Sequence, residues 1–353
     1  MRIRFLTSTP LDIRRGSGTY AGITALAGAL EKLGHAVTYE TPRRHFPNYT
    51  FERLAFNRSL KRSAEFDLTV GFDMDGYRIA SGAPHVASLK GVIADEVRFE
   101  SGLTRLTMSI QARCERLHVN RAARVLATSR YSGERAMEFY GLREMPAIVP
   151  ELIDLAEWRR LLAEHPAQRS GSRGPGPGMP GCTVLGCTVL FVGRFYHRKR
   201  VPVLLRAAAI LRERLPELRI RIVGNGPCNA AWRTLSRDLR LDSVVTWLGD
   251  VSRAQLAEEY NRADAFCLPS VQEGFGIVLL EAMAAGKPIV AARAAAIPEV
   301  APHGVLVEPD NAEALAAGIE RVFRSPQPPS NWVEQFDAPL VARRFLDAVS
   351  DLR

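Results

Sequence analysis

The segment Glu273-Gly274-Phe275-Gly276-Ile277-Val278-Leu279-Leu280-Glu281 sets two carboxylates around a glycine-flanked helix start. An apolar strand pattern ends at Leu268, a helix is predicted over 276–285, and Gly286 and Pro288 stop it. The amino terminus of such a helix offers unpaired N–H groups and a partial positive charge, which suit a phosphate. Glycines there let a ligand approach the backbone closely. Glu281 falls about six residues into the predicted helix, roughly 9 Å along it. The two acids can accept hydrogen bonds from a ligand rich in hydroxyls. Upstream, Phe191-Val192-Gly193-Arg194-Phe195-Tyr196-His197-Arg198-Lys199 places Arg194 and Lys199 just past another strand. Ligands of open α/β sheets bind at that end of the strands, so both bases are candidate phosphate ligands. Taken alone, the acids could be two surface carboxylates on an ordinary helix, and the bases a solvated loop. Their occurrence together and in this order points to a sugar or nucleotide phosphate.

These residues need strands to hold them. Apolar runs at 3–7, 36–39, 68–72, 86–89, 124–127 and 147–149 alternate with helical patterns such as 19–33 and 133–140. The second half repeats the scheme, with strands at 188–192, 219–223, 244–248, 265–268, 289–291 and 304–307. Helices at 201–215, 230–239, 253–263, 276–285 and 312–323 connect them. Such alternation predicts parallel sheets covered on both faces. The fold class is therefore α/β, two tandem Rossmann-like domains with an interdomain cleft. Between the halves runs SGSRGPGPGMPG, residues 170–181, in which ten of twelve residues are Ser, Gly or Pro. It reads as a flexible connector. A tandem pentapeptide follows, Gly181-Cys182-Thr183-Val184-Leu185 and Gly186-Cys187-Thr188-Val189-Leu190. The odd period prevents both copies from serving one strand interchangeably, and the second copy is predicted as the strand. The expected domains are 1–165, a linker over 166–186, 187–330, and a closing helix over 331–353 that crosses back to the first domain.

Composition is that of a globular protein: 353 residues, 46% hydrophobic and 24% charged. No apolar run reaches the roughly 18 residues of a membrane span. The amino terminus reads as a first strand, not a secretory signal. Five cysteines without a zinc-type pairing read as reduced thiols, so a cytoplasmic location is expected. The net charge of +9 is uneven: residues 1–150 hold 22 Lys/Arg against 15 Asp/Glu (+7), and the remainder 25 against 23 (+2). That asymmetry suits an anionic partner. The densest stretch runs from Arg43-Arg44-His45-Phe46 through Arg53, Phe56 and Arg58 to Lys61-Arg62. It reads either as a solvated helix and loop or as a basic-aromatic patch for peripheral contact at the inner membrane face.

The Glu273-x7-Glu281 arrangement resembles the donor-site motif of the retaining glycosyltransferases of family four, which have the GT-B fold. In that family the first Glu holds donor-sugar hydroxyls and the second the nucleotide ribose. The resemblance extends to Arg194 and Lys199, which it implies lie on the diphosphate, with Gly193 in the same loop. It also takes in Ile222-Val223-Gly224-Asn225-Gly226-Pro227, and Trp247-Leu248-Gly249-Asp250-Val251 beside the base. Gly16-Ser17-Gly18 is similar to the family's glycine loop facing the donor phosphates. By resemblance, Arg194, Lys199 and Glu273 are catalytic, while Gly16, Gly18, Lys90, Gly193, Gly249, Gly274, Phe275, Gly276 and Glu281 bind the donor. The implied activity is metal-independent hexose transfer from a UDP- or GDP-sugar, with no cofactor. The acceptor would be a small molecule, glycan or lipid, anionic or membrane-borne; nucleic acid is not an expected partner. The chain departs from the family at Ser88-Leu89-Lys90-Gly91, where a His is usual, and at Pro150-Glu151-Leu152-Ile153-Asp154, where Pro-Asn-Gly is usual. It departs again at Ala295-Ala296, where Gly-Gly is frequent.

Two other patterns compete. Gly16-x-Gly18-x-x-Ala21 with Glu40 partly satisfies a dinucleotide fingerprint and would imply a NAD(P)-binding oxidoreductase, although residues 8–15 separate it from the first strand. Asp73-Met74-Asp75 is an Asp-x-Asp, read here as acceptor contacts or a loop turn. A nucleotide-sugar-binding protein without transfer activity is a further alternative, given Lys90 and Ala295-Ala296.

Overall fold

Six apolar runs of the first half become parallel strands: β1 Arg2–Leu6, β2 Ala36–Glu40, β3 Leu68–Phe72, β4 His85–Leu89, β5 Arg124–Ala127 and β6 Ala147–Ile148. They pair in the order β2-β1-β3-β4-β5-β6. The computed structural model describes residues 1–10, 18–43, 46, 48–81, 84–167, 187–325 and 330–352. Successive residues of β1 and β3 are buried whichever face they occupy, as a sheet covered on both sides requires. Phe5 and Phe72 meet edge to face at 5.0 Å in this core. The helix Ala338–Ala348 adds Val341, Ala342 and Phe345 to it. A parallel bridge joins Ile153 to Asp337.

Six further strands build the second sheet: β7 Cys187–Val192, β8 Leu218–Val223, β9 Val245–Gly249, β10 Ala265–Leu268, β11 Ile289–Ala292 and β12 Val305–Val307. Their order is β12-β11-β10-β7-β8-β9, all parallel. The direction of winding reverses between β7 and β10, which makes their carboxyl ends the topological switch point. The second pentapeptide copy supplies the start of β7, as its register with the following Phe191-Val192 predicts; the first copy lies outside the described residues.

The chain divides into Met1–Asp154 with Gln335–Arg353, and Leu155–Glu334. The division falls at 154/155, earlier than the expected boundary at 165. Trp158, on the helix Leu155–Glu164, is fully buried in the second unit. Its ring meets Tyr260 edge-on at 5.5 Å and its Nε1 donates to the Glu281 carbonyl at 3.1 Å. Burying an indole with its N–H satisfied outweighs the compositional break that follows. Most of that break, residues 168–186, lies outside the described residues. Element ends shift elsewhere for local reasons. The helix expected over 133–140 starts at Arg130, because the Ser129 side chain accepts from the Ser132 N–H.

The stretch 43–62, read either as a solvated helix and loop or as a basic-aromatic patch, turns two of its members inward. Arg53 and Phe56 are buried, on the helix Tyr49–Ser59. Arg53 donates to Ser8 Oγ and Gln111 Oε1, each at 2.9 Å, and pairs with Asp75 at 3.4 Å. Asp75 also accepts from the Ser8 N–H and from Asn57 Nδ2. It is an internal counter-ion rather than an acceptor ligand, and Arg53 is spent on neutralising it. Arg44 and His45 lie outside the described residues. Glu40, the acid of the dinucleotide fingerprint, takes Arg4 Nε at 2.7 Å.

Behind this network His85 Nε2 and His118 Nε2 lie 2.8 Å apart. Burial pushes both imidazoles down, His85 to about 3 and His118 to about 4. The stability that follows from keeping His85 neutral is fully present above about pH 6.5, where the unfolded imidazole is also neutral. It is lost as pH falls toward the folded value near 3. Between pH 7 and pH 5 the His85 share is about 2 kcal/mol. His85→Gln should therefore lose about that much less stability than wild type over this interval in urea unfolding; parallel losses would show that His85 is not buried neutral.

Candidate active site

Three loops at the carboxyl ends of β7, β8 and β9 are stitched side by side. The Gly193 N–H donates to Val223 O at 3.1 Å, the Phe195 N–H to Asn225 O at 2.9 Å, and the Gly224 N–H to Gly249 O at 2.8 Å. Phe195 anchors them, buried against Trp232 and Trp247 with ring centroids at 5.0 and 5.8 Å. Beside it Arg194 is partly exposed, its Nη1 3.8 Å from Asp250 Oδ1. The loop then makes one 3-10 turn, His197–Lys199. The Val271 N–H donates to Arg198 O at 2.9 Å, tying this loop to the one that follows β10. Lys199 Nζ consequently lies 2.6 and 2.7 Å from the two carboxylate oxygens of Glu273, both side chains largely buried. Arg194, Lys199 and Glu273, far apart in sequence, thus gather on the two sides of the switch point.

Gly274 and Phe275 lead from Glu273 to Gly276, whose φ of +90° is left-handed backbone that a side chain would strain. That geometry delays the helix to Ile277–Ala284, one residue later than the sequence suggests. No side chain caps its start and no acid lies in its first turn; the Leu279 N–H donates to Gly276 O at 2.9 Å, and the Ile277 and Val278 N–H groups ahead of it suit an anion. Glu281 is then the fifth helical residue, about 6 Å from the first. It is buried, with Arg253 Nη1 at 3.4 Å and the Tyr260 hydroxyl donating at 3.1 Å. Burial raises the Glu281 carboxyl above its usual range, while Arg253 and the Tyr260 hydrogen bond pull it back. Arg253 in turn lies over the Trp158 ring at 4.8 Å. Sequence reasoning missed Arg253, Tyr260 and Trp158. Their distance along the chain left no spacing to read, although the capping box of Ser252 and Gln255 marks the helix that carries the first two.

The remaining expected residues lie in the first unit. Gly18 opens the helix Gly18–Lys32, and Gly16 lies outside the described residues. Lys90 follows β4, its Nζ 3.0 Å from Glu151 Oε2, with both side chains only 6% exposed. A Cβ on Gly22 would stand 2.0 Å from that same carboxylate oxygen, so the bare helix surface at Gly22 makes room for Glu151. Two of the three places where the chain departs from the family pattern, Lys90 and Glu151, are therefore partners in one ion pair.

Residues 187–336 match the family described as glycosyl transferases group 1. A D-inositol 3-phosphate glycosyltransferase of Pseudarthrobacter chlorophenolicus is 34% identical over 216 residues, 59% of this chain and 49% of that protein. The chain spans about half the length of the curated relatives it matches. Among solved structures, sucrose-phosphate synthase from Thermosynechococcus elongatus superposes with a TM-score of 0.70 at 20% identity, covering 100% of this chain and 95% of that one. Anabaena HepE in complex with UDP and glucose gives 0.70 at 18% identity, covering 99% and 100%. The chain has the GT-B fold, and its residues 187–336 are similar to the glycosyl transferases group 1 family.

Proposed function

We propose that the chain is a retaining glycosyltransferase that moves a hexose from a UDP- or GDP-sugar to an anionic or membrane-borne acceptor. The observation that carries this reading is the collection of Arg194, Lys199, Glu273 and an uncapped helix start at one switch point. Such a cluster matches a sugar diphosphate group by group. In the donor-free state Glu273 neutralises Lys199. An arriving diphosphate competes for the ammonium and frees the carboxylate to accept sugar hydroxyls, while Glu281 receives the ribose. Breaking the bond between the anomeric carbon and the β-phosphate oxygen builds charge on the leaving diphosphate. Arg194, Lys199 and the N–H groups at Ile277 face that charge, each such group contributing about 3–4 kcal/mol. The acceptor hydroxyl forms the new bond on the same face, and its proton passes to the departing phosphate oxygen. This positive set supports departure without a metal. The UDP complex of Anabaena HepE supports a nucleotide sugar as donor, and the name of the Pseudarthrobacter relative supports glycosyl transfer and an anionic, phosphorylated acceptor.

A panel of nucleotide sugars followed by melting temperature and by release of free nucleotide tests the reading. The fitting donor should raise the melting temperature, by about 2.7 kcal/mol of stabilisation at a hundredfold excess over Kd. Glu281→Ala should abolish that rise. An unchanged response in Glu281→Ala would move the nucleotide elsewhere, and binding without turnover would favour the binding-only alternative.

A further inference from the structure

The helix Gly102–Val119 leaves an apolar stripe uncovered. Leu103 is 72% exposed and Leu106 61%, and Ile110 and Leu117 are also exposed. At about 3.6 residues per turn these four fall within about 60° of arc. Arg113, Arg116 and Arg105, likewise exposed, occupy the next about 80°. The one acid among the 18 residues of this helix, Glu115, is completely buried, where it accepts from the Ile93 N–H at 2.8 Å. The exposed arc is thus apolar and cationic with no negative charge.

The neighbouring helix Tyr49–Ser59 extends the surface. Gln111 Nε2 donates to Thr50 Oγ1 at 2.6 Å, so this second helix, which carries exposed Phe51, packs against the first. Its own acid, Glu52, is buried. Aromatic and aliphatic side chains next to arginines, with every acid turned inward, match the interface of an anionic lipid bilayer: apolar groups enter the acyl boundary and arginines meet lipid phosphates. Three exposed arginines beside an apolar stripe, with no acid on the same arc, call for an occupant that is apolar and anionic at once, which a bilayer of acidic lipids supplies.

We infer that this face, Leu103, Leu106, Ile110 and Leu117 with Arg105, Arg113 and Arg116, docks the first unit on an anionic membrane surface. The inference gives a place to the membrane-borne acceptor proposed above and moves the contact away from the stretch 43–62, whose central arginine is internal.

The test is co-sedimentation of the full chain with phosphatidylcholine vesicles, with and without phosphatidylglycerol, at low and high salt. Wild type should pellet with the anionic vesicles and be released by salt. Arg105→Gln/Arg113→Gln/Arg116→Gln should weaken binding by on the order of 100-fold, about fivefold per arginine. Leu103→Ser/Leu106→Ser/Leu117→Ser should abolish it with an unchanged melting temperature, and Leu340→Ser, exposed on another helix, should bind as wild type does. Indifference of wild type to vesicle charge, or retention of binding in both triple variants, would overturn the inference. So would a dimer in sedimentation equilibrium that the leucine variant dissociates, because the stripe would then belong to a second copy. Binding to vesicles without sugar transfer would keep this surface and remove the proposed activity; transfer to soluble acceptors by a chain that ignores vesicles would do the reverse.

Discussion

With Lys199 on the leaving diphosphate as proposed, Lys199→Met should lower kcat for sugar transfer by about 10²–10³-fold, the cost of removing one preorganised charge from a leaving group. The same change has a second, separable effect. Glu273 is largely buried and takes both of its short hydrogen bonds from the Lys199 ammonium. Deleting the lysine leaves that carboxylate without its cation, which costs about 3–5 kcal/mol of stability in the second unit. Adding Glu273→Gln removes the stranded charge and should recover most of the stability, because a buried pair replaced as a pair is close to neutral. It should recover no activity, since neither the charge on the diphosphate nor the acceptor for sugar hydroxyls returns. Urea unfolding and nucleotide release, measured on the two single variants and the double, separate the roles. Turnover within threefold of wild type in Lys199→Met would remove Lys199 from the mechanism.

The candidate site was legible in the sequence, as a geometric cluster, where neighbours in space are also neighbours in a motif. Gly276 caps the helix that carries Glu281, and Gly193, Arg194 and Lys199 share one loop, so period and position relative to a strand end sufficed. Glu273 and Lys199 required the inference that two strands end at one switch point, and strand order is a tertiary property that the alternation of elements only narrows. Arg253 and Tyr260 were invisible because nothing local distinguishes them from the solvated face of a helix; Glu281 recruits them by packing. The charge run at 43–62 was ambiguous for the converse reason. Density of arginine along the chain says nothing of which face each one occupies, and Asp75 turns Arg53 inward. On the helix Gly102–Val119 the arginines are sparser, yet they stand on the exposed side. The Gly/Pro/Ser stretch set the expected boundary later than the observed division because composition marks where no element packs, which is not the same as where one unit ends; Trp158 fixes that.

Lys90 and Glu151 should prove to be a coupled pair, and the coupling should be large. Their charged atoms are 3.0 Å apart, both side chains are 6% exposed, and the ammonium also lies 5.4 Å from the centroid of the Phe72 ring. Little water reaches either charge, so each depends on the other. Lys90→Met strands a carboxylate against the helix at Gly22 and should destabilise the first unit by about 3–5 kcal/mol; Glu151→Gln strands an ammonium at similar cost. The double variant, neutral on both sides and close in volume, should lie within about 1–2 kcal/mol of wild type. Independent substitutions add within about 0.3–0.5 kcal/mol, so a cycle that closes additively would mean that the pair is not formed. The same logic explains why these two positions depart together from the resembled pattern. An imidazole at 90 leaves Glu151 without its cation, and an amide at 151 leaves Lys90 without its anion. Lys90→His alone should therefore be less stable than Lys90→His/Glu151→Asn, even though the second carries one more change. Equal stability would show that the two sites vary for unrelated reasons.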